Sequence, residues 1–171
     1  KELSEYIHHC VSTKNNVWIA QREGRAKDSL DKTDPTILKM LHIANRDAVE
    51  KYTLKDSINQ LHIVPVAISY EYDPCAILKA KELYEIDKNG SFEKDETTDL
   101  VSIITGINGF KGNVHLHFGD EIEAKSDDPS EIALQIDEKI ILDYKIHPSN
   151  IIAFEKLKEL EEVDSEISID K

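Results

Sequence analysis

Cysteine is scarce in this chain: Cys10 and Cys75 are the only two among 171 residues. Two thiols make no disulfide framework, and they fit a reducing, cytoplasmic compartment. Long apolar runs are missing too, and no signal-peptide pattern opens the sequence, so no stretch reads as a membrane span or leader. Basic charge is in deficit, with 21 Lys and Arg against 34 Asp and Glu and a net charge of −13. That balance excludes sequence-independent nucleic-acid binding and disfavours an electrostatic anchor on anionic lipid. No serine stands in a Gly-x-Ser-x-Gly elbow. Gly106, Gly109 and Gly112 lack the preceding strand of a dinucleotide or phosphate-loop fingerprint, and read as a helix stop and a turn.

What is present is the composition of a globular protein, 40% hydrophobic and 32% charged. The length suits a single domain over residues 1–171. Leu3, Ile7, Cys10 and Val11 already share one helical face, so the chain opens inside a pattern and not before one. We therefore expect it to be the C-terminal portion of a longer protein.

The stretch around which the rest is organised is Val17–Asp28. Val17-Trp18-Ile19-Ala20 is a short apolar run that reads as a buried strand. Arg22, Glu23, Gly24, Arg25 and Lys27 follow directly. Glycine at a strand end permits close backbone approach to a ligand, and arginine carries the planar fork that suits phosphate or carboxylate. Such a cluster beyond a strand's carboxyl end is a candidate anion site, and equally a solvated strand-to-helix loop.

Further elements follow in order. Residues 2–13 predict a helix, and Asp34-Pro35 starts another with Ile37, Leu38, Leu41 and Ala44 inward. A third helix is predicted over Asp47–Gln60. His62–Tyr70 is a near-continuous apolar run typical of a parallel strand covered on both faces, with Val64 and Pro65 inside it. Pro65 removes a ladder donor, which implies either a bulge or an N–H position with no partner strand. Asp73-Pro74 repeats the helix-start signal, continued by Ile77, Ala80 and Tyr84, and a further helix carries Leu100, Ile103, Ile104 and Ile107; a turn at Asn89-Gly90 lies between them. Asn113–Phe118 alternates as a strand does. Asp128-Pro129 and Pro148 open the last two helices, the first with Ile132, Ala133, Ile136 and Ile140 inward, the second with Ile151, Ile152 and Leu157. The pattern predicts an α/β fold: a mixed, mainly parallel sheet with helices packed on it and helices at the C-terminus. Val17–Ala20 and Ile63–Ser69 are expected to be neighbouring parallel strands.

Two other constellations carry possible chemistry. His115 and His117 share one strand face, a spacing that a two-histidine metal site uses, with Asp120 or Glu121 as a third ligand. The structural alternative is a solvated His-x-His pair, and no metal ligand is assigned. His8 and His9 are adjacent on a helix and read as solvated. Glu85–Glu96 has acidic or amide residues at the first, third and fifth places of a calcium loop, Gly90 at the sixth and Glu96 at the twelfth. A glutamate in first place and the lack of a paired loop make a charged helix–helix connection the plainer reading.

Taken together, Trp18–Asp28, then Ile63-Val64-Pro65-Val66-Ala67-Ile68, then Val114–Gly119 resemble the glycerolipid acyltransferases, the glycerol-3-phosphate and 1-acylglycerol-3-phosphate acyltransferase family. The run Ile68–Cys75 is similar to a bacterial branch. The resemblance implies a C-terminal portion of an acyltransferase domain serving phospholipid synthesis. It implies an acyl-CoA or acyl-carrier-protein donor and a phosphorylated glycerol acceptor, with no cofactor. It also implies contact with the inner face of the membrane through the missing N-terminal part. The acceptor phosphate falls to Arg25, helped by Arg22 or Lys27, with Glu23 bracing them and Gly24 allowing the turn; Arg25 should point into the cleft beyond the strands. The family's catalytic His-x4-Asp block is absent on the N-terminal side of this stretch: Thr13 follows His8 at the required distance, and Lys14 follows His9. Glu23-Gly24 runs directly into Arg25, without the family's intervening threonine. The alternative of a different class is a non-catalytic binding or interaction module, with a calcium-binding helix–loop–helix at 85–96.

Overall fold

The computed structural model describes residues 1–22, 32–46 and 52–169, with side chains up to residue 160. The helices are α1 (Glu2–Ser12), α2 (Pro35–Arg46), α3 (Leu54–Asn59), α4 (Ala76–Asn89), α5 (Thr98–Asn108), α6 (Pro129–Leu142) and α7 (Pro148–Ile169). The strands among the described residues are β1 (Val66–Tyr70) and β2 (Val114–Phe118). The chain forms two compact units, Lys1–Ala67 with His117–Asp143, and Ile68–Leu116 with Tyr144–Lys171. No helix of the described residues is long and apolar enough to cross a membrane.

In the first unit the start signals act as their chemistry predicts. The Asp34 carboxylate accepts the Thr36 N–H at 2.8 Å just ahead of Pro35, and Asp128 accepts the Ser130 N–H at 2.8 Å ahead of Pro129. Each satisfies an orphan donor of a helix's first turn. The helix expected over Asp47–Gln60 is shorter, because Thr53 and Asp56 form a capping box that starts α3 at Leu54; residues 47–51 lie outside the described residues. Helix α2 packs on α1, α3 and α6. Its Leu38 and Leu41 are buried with Ile7, Leu54, Ile58, Ile132, Ala133, Ile136 and Ile140. Ser4 is fully buried as well: its hydroxyl donates to the Leu41 carbonyl at 2.8 Å and accepts the Ala44 N–H at 2.9 Å, tying α1 to α2.

The expected mainly parallel sheet is not formed. Among the described residues only β1 and β2 pair, and they run antiparallel: the Glu71 N–H donates to the Asn113 carbonyl at 2.9 Å, and the Gly119 N–H to the Pro65 carbonyl at 2.9 Å. This register sets Ile68 opposite Leu116 and Tyr70 opposite Val114. Beyond Pro65 the Ile122 N–H meets the Ile63 carbonyl at 2.8 Å. That bond is offset by one residue from the ladder, as a bulge at the proline demands. Val17–Ala20 is not a strand and does not neighbour β1 in a sheet; Val17, Trp18 and Ile19 are exposed. A parallel strand needs ladder partners and cover on both faces, and no other described strand supplies them.

The second unit has a small buried interior. Among its described residues only Ser69, Cys75 and His147 are buried. Polar ties hold its turns instead. Glu71 Oε2 accepts from the Asn113 backbone at 2.9 Å and from its side-chain amide at 2.7 Å. The Ser149 hydroxyl donates to the Glu71 carbonyl at 2.7 Å, and the Lys145 N–H to Ser69 Oγ at 3.0 Å. Ile151, Ile152 and Leu157, expected inward, are exposed, and so are Ile77, Ala80 and Tyr84 of α4 and Leu100, Ile103, Ile104 and Ile107 of α5.

Candidate functional site

Of the predicted anion site, Arg22 lies within the described residues; Glu23, Gly24, Arg25 and Lys27 lie outside them. The segment that carries them is fixed at both ends. The Asp34 N–H donates to the Gln21 carbonyl at 2.8 Å. Thr33 then donates its N–H at 2.8 Å and its hydroxyl at 2.6 Å to one oxygen of Asp137 on α6. The Asp34 carboxyl is held below its ordinary range, first by the Thr36 N–H and then by the Arg22 and Lys39 charges. Arg22 therefore stands near a carboxylate. Val64 is exposed and Pro65 buried, immediately ahead of β1.

A second constellation lies in the first unit. His8, His9, Val11, Ser12, Asn45, Gln60 and His62 line an open cavity of about 480 Å³. His8 Nε2 lies 2.9 Å from the Leu41 carbonyl, which makes it the protonated nitrogen and leaves Nδ1 as acceptor. His62 is held at φ 50°, the left-handed region that a non-glycine residue rarely enters. Its Nδ1 lies 2.7 Å from Glu121 Oε1. A carboxylate against Nδ1 fixes the ring's orientation. The Ser12 hydroxyl is committed to the His9 carbonyl at 2.9 Å, so it does not complete a nucleophile–base pair. Sequence reasoning missed this recess because its partners are far apart in the chain; the only local signal is His62 at the head of an apolar run.

The other candidates do not close around an ion. Among the described residues no group of three His, Cys, Asp or Glu is placed to hold a metal. His117 Nε2 faces Asp143 Oδ1 at 3.5 Å. In the calcium-like segment, Glu85, Asp87 and Asn89 belong to α4, whose end is capped by Gly90 at φ 78°. Asp95 is taken up by the backbone N–H groups and hydroxyls of Thr97 and Thr98, at 2.7–2.9 Å. It serves the first turn of α5. Compared with known proteins, the chain matches no family model, no curated protein and no solved structure.

Proposed function

We propose that this chain carries the acceptor-phosphate side of a glycerolipid acyltransferase, and that the parent enzyme moves a fatty acyl group from a thioester to a phosphorylated glycerol. The observation that carries the reading is the order of three sequence blocks: Trp18–Asp28, Ile63–Ile68 and Val114–Gly119. The anchoring of the 21–34 segment at Gln21–Asp34 and Thr33–Asp137 supports it, since a phosphate-binding loop works best from a fixed base. Arg25 makes the main phosphate contact, with Arg22 and Lys27 adding positive charge and Glu23 bracing them. The acyl donor is a coenzyme A or carrier-protein thioester. The working location is the cytoplasmic face of the membrane, reached through the remainder of the parent protein.

No His-x4-Asp block stands on the N-terminal side of Trp18–Asp28 to deprotonate the acceptor hydroxyl, so the chain alone is expected to bind acceptor without transferring acyl groups. Calorimetric titration with glycerol 3-phosphate tests the first half. A charge-assisted bond is worth roughly 1.5–3 kcal/mol, so Arg25→Ala should weaken binding about ten- to a hundredfold. Arg25→Lys should recover only part of the loss, because a point charge does not replace the bidentate fork. Equal binding by wild type and Arg25→Ala would remove the reading. So would steady acyl transfer by the purified chain, which would mean that the base lies elsewhere.

A further inference from the structure

The acyltransferase reading leaves the histidine-lined recess of the first unit unused. Its volume of about 480 Å³ falls within the roughly 300–1,000 Å³ of small-molecule sites. On an acidic chain its lining is unusual. His8, His9, Asn45, Gln60 and His62 supply polar groups and Val11 an apolar wall, while no Asp, Glu, Lys or Arg lines it. Two of the rings are oriented from behind. His8 donates its Nε2–H to the Leu41 carbonyl at 2.9 Å. His62 donates its Nδ1–H to Glu121 Oε1 at 2.7 Å, since a carboxylate only accepts. In the neutral rings the second nitrogens, His8 Nδ1 and His62 Nε2, are then acceptors. The Asn45 amide donates to Gln60 Oε1 at 3.0 Å, and this pair keeps Asn45 Oδ1 as an acceptor and Gln60 Nε2 as a donor. His62 also carries strain. Its φ of 50° closes the turn after α3, in a conformation ordinarily given to glycine or asparagine. The pair with Glu121 is exposed on both sides, and such pairs return little stability. Strain that the fold does not repay is found where a ligand is held.

The lining selects the ligand's chemistry. A cation is best held by carboxylates, and none lines the recess. An anion calls for N–H donors, yet the ring protons of His8 and His62 are spent on Leu41 and Glu121. A flat aromatic ligand calls for a ring of Phe, Tyr or Trp to stack on, and none lines the recess. What remains is a set of two ring acceptors, an amide acceptor and an amide donor. Hydroxyl groups meet such a set, because each of them both donates and accepts. Val11 suits the C–H side of the same molecule. We infer that this recess binds a neutral polyhydroxylated compound, a sugar or sugar alcohol, with His8 Nδ1 and His62 Nε2 accepting from its hydroxyls. The inference goes beyond the acyltransferase reading and does not rest on it, since none of these residues belongs to the 21–34 segment.

The test follows the histidine ring signals of the full chain by NMR while glucose, sorbitol or inorganic phosphate is added at millimolar concentration. The His8 and His62 signals should shift saturably with glucose or sorbitol and stay in place with phosphate. His62→Gly removes the ring and suits the left-handed backbone. It should therefore melt no lower than wild type while its affinity for the same polyol falls about tenfold, the loss of one good hydrogen bond. His62→Asn, which also tolerates that backbone but lacks the reach of the ring, should behave in the same way. The inference is overturned by the absence of a saturable shift with either polyol, or by phosphate shifting the rings at lower concentration than the polyols do. It is equally overturned if His62→Gly binds as wild type does, or if both His62 variants melt well below wild type, which would make His62 a residue held for the fold.

Discussion

Asn59 offers a sharp test of how the first unit is held together. At the end of α3 its side-chain oxygen accepts the Ala124 N–H at 2.7 Å, and its amide donates to the Ala124 carbonyl at 3.2 Å. One side chain thus does for Ala124 what a neighbouring strand would do, across 65 positions of sequence. Ala124 is 2% exposed, so water does not replace either bond. Asn59→Ala removes two bonds worth about 1 kcal/mol each and strands a buried donor and acceptor, each costing about 1–3 kcal/mol. These terms overlap, and the expected loss is about 2–4 kcal/mol, a large share of a typical domain's stability. The control is Asn45→Ala, whose amide donates to Gln60 Oε1 at 3.0 Å on the surface. That change should cost no more than about 0.5 kcal/mol. Urea denaturation followed by circular dichroism reads both as midpoint shifts at constant slope. If Asn59→Ala proves no worse than Asn45→Ala, the extended segment is held by Ile122 and the packing around it, and the polar clamp is incidental.

Two further outcomes follow from the second unit. Asp95 has its pKa lowered from 3.8 to about 2, chiefly by the Thr98 hydroxyl and then by Thr97. A depressed carboxyl contributes stability that is complete above its unfolded pKa and is lost as pH falls through the folded one. The first turn of α5 should therefore loosen between about pH 4 and pH 2; a carboxyl titration by NMR with a midpoint near 3.8, or one unmoved by Thr98→Val, would contradict this. Gly112 sits at φ 62°, and an added Cβ would lie 2.6 Å from Glu71 Oε2. Gly112→Ala should cost about 1–2 kcal/mol for the left-handed backbone alone, and more because Glu71 must leave Asn113. Glu71, held low mainly by the Asn113 N–H, should then titrate closer to an ordinary glutamate. Gly90→Ala, with φ 78° but open space around it, should pay only the backbone cost; equal losses at the two glycines would refute the role of Glu71.

Signals that depend on neighbours in sequence were legible. Asp34-Pro35 and Asp128-Pro129 each place a carboxylate where the helix's first free N–H groups appear. Ile132, Ala133, Ile136 and Ile140 recur at helical spacing on a helix packed against α2, and they are buried as that spacing predicts. The strands were harder because a strand is defined by its partners. Val17–Ala20 has the composition of a covered strand, yet composition does not supply the adjacent ladder, and the segment is exposed and not a strand. Site residues divide in the same way. Arg22 could be singled out from its position after an apolar run. The meeting of His62 with Glu121 could not, since it depends on the return of the chain along Ile63–Pro65, visible only in the bond from Ile122 to Ile63.

Periodicity reports that a face is covered and is silent about what covers it. In α6 and in α5 the same spacing of aliphatic residues occurs, and reading both as core is the natural inference from sequence. On α6 the cover comes from within the chain. On α5 the inward positions are taken by Thr98, Ser102, Thr105 and Gly106, small enough to bring the backbone against Cys75, and the aliphatic residues are left outside. Small residues on one side permit the close approach of the backbone, and the same spacing therefore marks a covered face in α6 and an exposed one in α5. The buried residues of the second unit, Ser69, Cys75 and His147, leave His147 Nε2 without a hydrogen-bond partner. An interior so limited does not balance the entropy of ordering three helices.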